Sequence, residues 1–193
     1  MSKMFEKFRQ YRKAIIFILV AVILFVIDIV TKNLAYTYLK GQGSVEIKGF
    51  SWLVRLTYCE NTGAAWGMGG DNKFSQILLC LLSYAAAIFL IYYIVKNKLK
   101  NTLLNTSLFI ILAGDVGNLI DRTFALLPFN TIYQNGVIDF IDITPLIPNF
   151  GIFNFADSCI CVGVAILLVY EIKTLIKNKD KNNEQNNSEQ QGN

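Results

Sequence analysis

Two acidic residues lie within a run of branched and aromatic residues, the stretch GVIDFID at residues 136–142. A carboxylate in such surroundings is costly unless it is paired, protonated or used in chemistry. Strand alternation places Asp139 on one face and Asp142 on the other, so only one of them can point towards a given site. A third carboxyl group, Asp157 in FNFADS, follows after the loop ITPLIPNFG. The prolines and glycine of this loop suit a turn that folds Asp139 back against Asp157.

Such a pair of carboxyl groups has a specific chemistry. Two close carboxylates cannot both ionise easily, so they hold one proton between them and titrate as a unit. One member can then activate water while the other hydrogen-bonds the scissile carbonyl. The chain contains no histidine, which excludes Ser-His and Cys-His catalysis and His-ligated zinc. A structural alternative stays open, because Asn154 as N-cap with Asp157 three residues later would stabilise a helix start without any chemistry.

The composition indicates a membrane protein. Of 193 residues, 53% are hydrophobic and only 17% are charged, against about 25% charged residues in soluble domains. A helix needs about 20 apolar residues to cross a bilayer, and four segments approach or exceed this length. The predicted spans run from about Ala14 to Thr31, Phe74 to Val95, Thr102 to Ile120 and Phe155 to Ile176. The net charge of +4 forms no separate basic face, so a nucleic-acid partner is not expected.

Basic residues predict the orientation of these spans. Lys and Arg cluster in the N-terminal arm, in the turn between spans two and three, and after span four, so these regions and both termini should be cytoplasmic. We therefore expect a cytoplasmic arm at residues 1–13, a membrane domain at residues 14–176 and a disordered cytoplasmic tail at residues 177–193. Between spans one and two, the alternating segment Ser44 to Tyr58 predicts short strands on the outer surface.

Ionisable residues inside spans are functional candidates. Asp28 and Lys32 stand four residues apart in span one, which places them on one helix face as a local ion pair or as support for a polar site. Asp121, near the outer end of span three, can pair either with Arg122 or with Lys32.

A polar stripe and a small-residue motif complete the candidates. Asp115, Asn118 and Arg122 follow the i, i+3, i+7 spacing on span three, so they should face a bundle interior or an aqueous cavity. Asn61 begins a run of small residues in ENTGAAWG. Small residues permit close backbone approach to a helix or an extended peptide, although a simple turn would also explain them.

These motifs together resemble those of a known family. They occur in the order Asp28 with Lys32, NTGAAWG, GNLIDR, VIDF and FNFADS. The chain resembles the lipoprotein signal peptidases, or signal peptidase II, of the bacterial cytoplasmic membrane. Each motif alone is weak, but their joint order over four spans is specific and covers the whole membrane core.

The resemblance implies an intramembrane aspartyl endopeptidase that cleaves a prolipoprotein just before a cysteine carrying diacylglycerol. It implies an all-α membrane fold with four transmembrane helices and a small extracytoplasmic β-cradle between helices 1 and 2. It implies no metal or cofactor, and we expect a monomer among membrane lipids with its active site near the outer leaflet. By motif matching, the catalytic pair is Asp139 and Asp157, the substrate-binding residues are Asn61, Asn118, Arg122 and Asn154, and the supporting polar residues are Asp28, Lys32 and Asp121.

Two other functions would also use carboxyl groups within membrane spans. Intramembrane proteases of the presenilin or prepilin-peptidase type carry Gly-x-Gly-Asp, but Asp115 follows Leu112-Ala113-Gly114, so the first glycine is missing. A small proton-coupled transporter would use Asp28, Asp115 and Asp157 as a relay spread through the bilayer. The sequence instead collects its carboxylates near the outer ends of the spans, which favours chemistry at the surface.

Overall fold

Helices dominate the fold. The computed structural model describes residues 2–63, 72–128, 132–133 and 135–191. Within these ranges the elements are α1 (Ser2–Leu39), β1 (Ser44–Glu46), β2 (Arg55–Asn61), α2 (Lys73–Asn97), α3 (Thr102–Leu126), β3 (Val137–Asp142) and α4 (Phe155–Gln191).

Each described helix contains a segment long and apolar enough to cross a membrane. These segments are Phe8–Leu39, Lys73–Asn97, Thr102–Leu126 and Phe155–Asn183. The predicted starts of spans two, three and four agree with the helix starts to within one residue. The prediction of a mainly helical, four-span membrane protein is therefore confirmed.

Asparagine caps fix the starts of the two central helices. The Asn72 side chain accepts a hydrogen bond of 2.9 Å from the Phe74 amide at the start of α2. The Asn101 side chain accepts one of 3.1 Å from the Leu104 amide at the start of α3. Asparagine is among the best N-cap residues because its oxygen satisfies an otherwise unpaired amide. The starts of α2 and α3 are thus defined by residues in the sequence itself.

Helix α3 is the centre of the bundle. More than half (56%) of its most apolar window is buried in the protein, against 6% for α1. The outer surface of α1 instead exposes large aliphatic residues such as Ile15, Leu19 and Ile23, as expected for a helix facing lipid. Polar side chains on α3 are consequently shielded from lipid by its neighbours.

Small residues bring α1, α3 and α4 close together. A Cβ atom on Gly117 would lie 2.5 Å from Asp28 Oδ2 and 3.2 Å from Ala156 Cβ. On α4, a Cβ atom on Gly163 would lie 2.5 Å from Ile111 Cγ1. Such distances exclude any larger residue without movement, as in small-residue helix contacts in membranes. This close packing brings the start of α4 against Asp28.

The three described strands form one antiparallel sheet in the order β1–β2–β3. Strands β1 and β2 lie where the sequence predicts short strands. Strand β3 comes from between α3 and α4 and pairs with β2, with Cys59 opposite Asp139 and Asn61 opposite Val137. The sequence predicts β3 as a strand but not this pairing. The sheet therefore joins the α1–α2 and α3–α4 connections into one unit.

One face of the sheet packs against the end of α1. The buried cluster comprises Ala35, Leu39, Tyr133, Ile138 and Phe140. Ile138 is completely buried. Because side chains alternate along a strand, this packing turns Asp139 to the opposite face.

The polar tail differs from its prediction. Residues 177–191, where disorder is expected, continue α4 as a helix, and their described side chains are exposed. The sequence after Gly163 contains no glycine or proline before Gly192, so nothing breaks the helix that the membrane span has already nucleated.

Candidate active site

The first turn of α4 holds Asp157 through a reciprocal capping arrangement. The Asn154 side-chain oxygen accepts a hydrogen bond of 2.9 Å from the Asp157 amide. The Asn154 amide in turn donates to Asp157 Oδ2 at 3.2 Å. The helix-capping alternative is therefore present in the structure. Asp157 also has a second partner, because Asn118 Nδ2 donates to its Oδ1 at 2.7 Å, so capping does not exhaust its contacts.

Asp139 reaches the same place from strand β3. It is 2% exposed and accepts hydrogen bonds from Asn61 Nδ2 at 2.9 Å and from Asn154 Nδ2 at 2.7 Å. Burial, followed by the charge of Asp157, raises the pKa of Asp139 to about 7, although the bonds from Asn61 and Asn154 oppose this. The structure thus brings Asp139 and Asp157 together, and Asn154 bonds to both.

Asp142 belongs to a different cluster. Its Oδ2 accepts hydrogen bonds from Arg55 Nε at 2.6 Å and from Thr57 Oγ1 at 2.9 Å, and its Oδ1 accepts one from the Thr144 amide. Although burial opposes it, hydrogen bonds from Thr144 and Arg55 lower the pKa of Asp142 to about 2. With a side chain only 2% exposed, Asp142 is a structural acid that ties β2 to β3. Strand alternation alone allows Asp142 to be either a solvent-side or a structural acid, and the structure shows the second.

Lys32 is the centre of the supporting polar residues. Its fully buried ammonium lies 2.7 Å from both Asp28 Oδ2 and Asp121 Oδ2. It also donates to Asn118 Oδ1 at 3.0 Å. The predicted i,i+4 pair of Asp28 and Lys32 is present, and of the two partners left open for Asp121 the structure selects Lys32.

The supporting cluster is connected directly to the start of α4. Asp28 Oδ1 accepts a hydrogen bond of 2.9 Å from the Ala156 amide, one of the amides that a helix start leaves unpaired. Asn118 links the cluster to Asp157, and Asn154 donates to Asn118 Oδ1 at 3.0 Å. The orientation of Asp157 therefore depends on α1 and α3 as well as on its own helix.

A cavity of about 550 Å³ opens beside the two carboxyl groups. Its polar lining includes Asn61, Asn118, Arg122, Asp139 and Asp157. Its apolar lining comes from α4, from the loop before α4 and from Val137 on β3, and includes Ile143, Phe150, Phe153, Ile160 and Val162. The cavity therefore combines an apolar wall with polar groups at one end, as binding sites commonly do.

One predicted site residue and one loop occupy positions that the sequence does not foresee. Asn154 is completely buried and lies behind the carboxyl groups, whereas Asn61, Asn118 and Arg122 line the cavity. The loop ITPLIPNFG, read as a simple turn, also forms part of the wall. The isolated bridge between Ile141 and Phe153 holds this loop against β3, but no local sequence signal indicates a non-local bridge.

Asn61 combines a turn with a site contact. Its side-chain oxygen accepts a hydrogen bond of 2.9 Å from the Gly63 amide, while its amide group donates to Asp139. The turn expected at ENTGAAWG is thus present in its first residues. The rest of the motif, including Trp66, lies outside the described residues.

Fold and site together define a multi-pass membrane protein with two carboxyl groups held at one end of its helix bundle. The family model for signal peptidase II matches residues 20–173. The chain belongs to the signal peptidase II family.

Curated relatives and solved structures agree with this assignment. The lipoprotein signal peptidase of Lactobacillus johnsonii is 35% identical over 171 residues, which cover 87% of this chain and 97% of the relative. The lipoprotein signal peptidase of Staphylococcus aureus is 32% identical over 165 residues, covering 85% and 92%. A bacterial membrane enzyme solved by the in meso method at 2.3 Å superposes with a TM-score of 0.69 and 29% identity, covering 81% of this chain and 87% of the other.

Proposed function

We propose that this protein is an aspartyl endopeptidase that removes the signal peptide of diacylglyceryl-modified prolipoproteins. The observation that carries the proposal is the pair Asp139 and Asp157. These residues come from different elements, both are hydrogen-bonded by Asn154, and both line one cavity. Of the two carboxyl groups, capping of α4 uses only Asp157. Capping therefore does not explain why the buried carboxyl group of Asp139 lies beside Asp157.

The proposed reaction uses one proton held by the pair. A pKa of about 7 for Asp139 means that a substantial fraction of this carboxyl group is protonated at neutral pH and most of it below. It donates a hydrogen bond to the scissile carbonyl while Asp157 accepts a proton from the attacking water. Attack gives a tetrahedral diol. The C–N bond then breaks as the nitrogen takes up a proton, leaving a carboxyl and an amine product.

The proposed binding residues surround this pair. Arg122 lines the cavity and carries donors that suit a peptide carbonyl of the substrate. Asn61 and Asn118 line the cavity as well, but their amide groups already donate to the two carboxylates. In this proposal they orient the catalytic pair as much as they contact substrate. The remaining polar residues act as positioning groups in this proposal: Asn154, Asp28, Lys32 and Asp121.

The membrane arrangement follows from the charges. Basic residues precede α1, join α2 to α3 and follow the span of α4, so we place both termini in the cytoplasm. The carboxyl pair then lies near the outer leaflet. In this orientation a signal helix in the bilayer brings its lipid-bearing cysteine to the surface at Asp139 and Asp157, and cleavage falls just before that cysteine. We propose a monomer as the working unit.

The transporter alternative receives less support from the geometry. A relay through Asp28 would require this residue to exchange protons. Asp28 instead contacts the buried Lys32 ammonium and accepts a hydrogen bond from the Ala156 amide, so its side chain is fixed by structural contacts.

The test is cleavage of a purified diacylglyceryl-prolipoprotein by the purified enzyme, measured as a shift of the substrate band on a gel. We expect Asp139→Asn and Asp157→Asn each to abolish cleavage, with each variant confirmed as folded by its thermal transition. Asp142→Asn is the matched control, because it removes a carboxylate from the same strand outside the pair. Normal cleavage by either of the first two variants would refute the assignment. Proton flux into liposomes without peptide cleavage would support the transporter instead.

A further inference from the structure

A second cavity meets the first at Asp139. It has a volume of about 380 Å³, and its described lining comes from the end of β2, from Asp139 and from residues 150–152. Asn61, Asp139 and residues 150–152 line both cavities. Asp139 thus lies between two cavities and lines both of them.

The two cavities differ in what surrounds them. The larger one is walled by Ile160, Cys161 and Val162, which belong to the membrane-spanning part of α4. The smaller one is walled by the sheet and the loop, outside the spans. A peptide cleaved at Asp139 must extend in both directions from the cut. The apolar signal segment suits the larger cavity, which leaves the smaller, sheet-side cavity for the segment beyond the cut.

Cys59 forms part of the sheet-side wall beside Asp139. It lies directly opposite Asp139 in the β2–β3 pairing and is half-buried. Its neighbour Glu60 also lines the cavity, but the Glu60 carboxylate accepts hydrogen bonds from Tyr58 Oη at 2.7 Å and Lys40 Nζ at 2.8 Å. Alternation therefore places the thiol of Cys59 on the cavity face together with Asp139. Directly opposed residues in an antiparallel pair have Cβ atoms about 5 Å apart.

We propose that Cys59 determines the size of the residue accepted immediately after the lipid-bearing cysteine of the substrate. This inference rests on the proposed function and specifies its substrate preference. A cysteine side chain is small, so it leaves room in the cavity. A larger residue at position 59 fills space directly beside Asp139, and it excludes large substrate side chains while leaving glycine unaffected. A change of a methylene or two in such a pocket alters kcat/KM by about 10- to 200-fold.

The experiment compares substrates that differ only at this residue, with glycine, leucine or tryptophan there. We expect Cys59→Leu to lower the ratio of tryptophan to glycine cleavage at least about 10-fold relative to the unchanged protein, and Cys59→Ala to keep or raise this ratio. Val45→Leu is the matched control. Val45 lies exposed on strand β1 and outside both cavities, so its ratio should not change. A ratio unaltered by Cys59→Leu, or altered equally by Val45→Leu, overturns the proposal.

Thiol modification provides a second measurement on the native fold. Methanethiosulfonate reagents of increasing size should lower the same ratio progressively in the unchanged protein. The Cys59→Ala protein corrects for reaction at Cys161, which is exposed. Equal loss in both proteins contradicts the inference. The two possible failures give different results. If the proposed function is wrong, no variant cleaves the glycine substrate. If only this inference is wrong, the glycine substrate is cleaved and the ratio of tryptophan to glycine cleavage is unchanged.

Discussion

Replacing Asn154 by serine removes one of the hydrogen bonds that lower the pKa of Asp139, together with the bond from Asn154 to Asn118. Serine is a good N-cap residue, so it can keep the bond from the Asp157 amide that the asparagine oxygen now accepts at 2.9 Å. It cannot reproduce the amide group that donates to Asp139 Oδ1 at 2.7 Å. The substitution therefore keeps α4 capped and removes one hydrogen-bond donor from the proposed catalytic pair.

The expected magnitude follows from this one bond. A hydrogen bond to a charged group contributes about 1.5–3 kcal/mol, and 1.36 kcal/mol corresponds to a pKa difference of about one. Because the bond favours the ionised carboxylate, its loss should raise the pKa of Asp139 from about 7 by roughly one to two. Misorientation of the pair should lower kcat/KM by about 10- to 100-fold.

The assay is cleavage of the diacylglyceryl-prolipoprotein from pH 5 to pH 10. In the unchanged protein, activity should fall above pH 7 as the pair loses its remaining proton. In Asn154→Ser this fall should move to higher pH. Asn33→Ser, on the exposed surface of α1, is the control for an asparagine-to-serine change. An unchanged fall, or one moved to lower pH, would refute the view that Asn154 stabilises the ionised form of Asp139.

Three further predictions concern the surroundings of the pair. Lys32→Met should destabilise the protein by about 3–5 kcal/mol, because the buried carboxylates of Asp28 and Asp121 lose their cation; an unchanged thermal transition in detergent would contradict this. Gly117→Ala should cost about 1–3 kcal/mol and reduce cleavage, since its Cβ would lie 2.5 Å from Asp28 Oδ2; stability and rate equal to the unchanged protein would show that the helices separate freely. Asp142→Asn should retain cleavage. The pKa of Asp142 is about 2 in the folded protein, against a usual value of about 3.9. Ionised Asp142 therefore stabilises the fold above about pH 3.9, and this stabilisation is lost as the pH falls towards 2. Acid unfolding below about pH 4 should consequently depend less on pH in this variant.

Local patterns predicted the parts of the site that depend on one element. The i,i+4 spacing predicted the contact of Asp28 with Lys32, and strand alternation separated Asp139 from Asp142. The start of α4 at residue 155 followed from the cap residues and the apolar run. In each case the side-chain direction is set by the period of a single helix or strand, so no knowledge of the tertiary structure was needed.

Non-local contacts were not predictable in this way. The choice of Lys32 over Arg122 as the partner of Asp121 depends on how α1 crosses α3. The burial of Asp142 depends on the pairing of β2 with β3. These two strands are separated along the sequence by the helices α2 and α3. One sequence contains no signal for such a register, and an acid that alternation alone could leave in solvent is instead paired with Arg55.

The charge balance of the site explains why the pair can hold a proton in a membrane protein without histidine. Lys32 is shared by Asp28 and Asp121 at 2.7 Å each, so its single positive charge is already exceeded before Asp139 and Asp157 are counted. Asn118 and Asn154 add dipoles but no charge. Arg122 adds one positive charge at the cavity, but a second negative charge on the proposed catalytic pair would lie close to the first in a buried place, which is unfavourable. Retaining one proton is the less costly state, and that proton is the one the proposed hydrolysis requires.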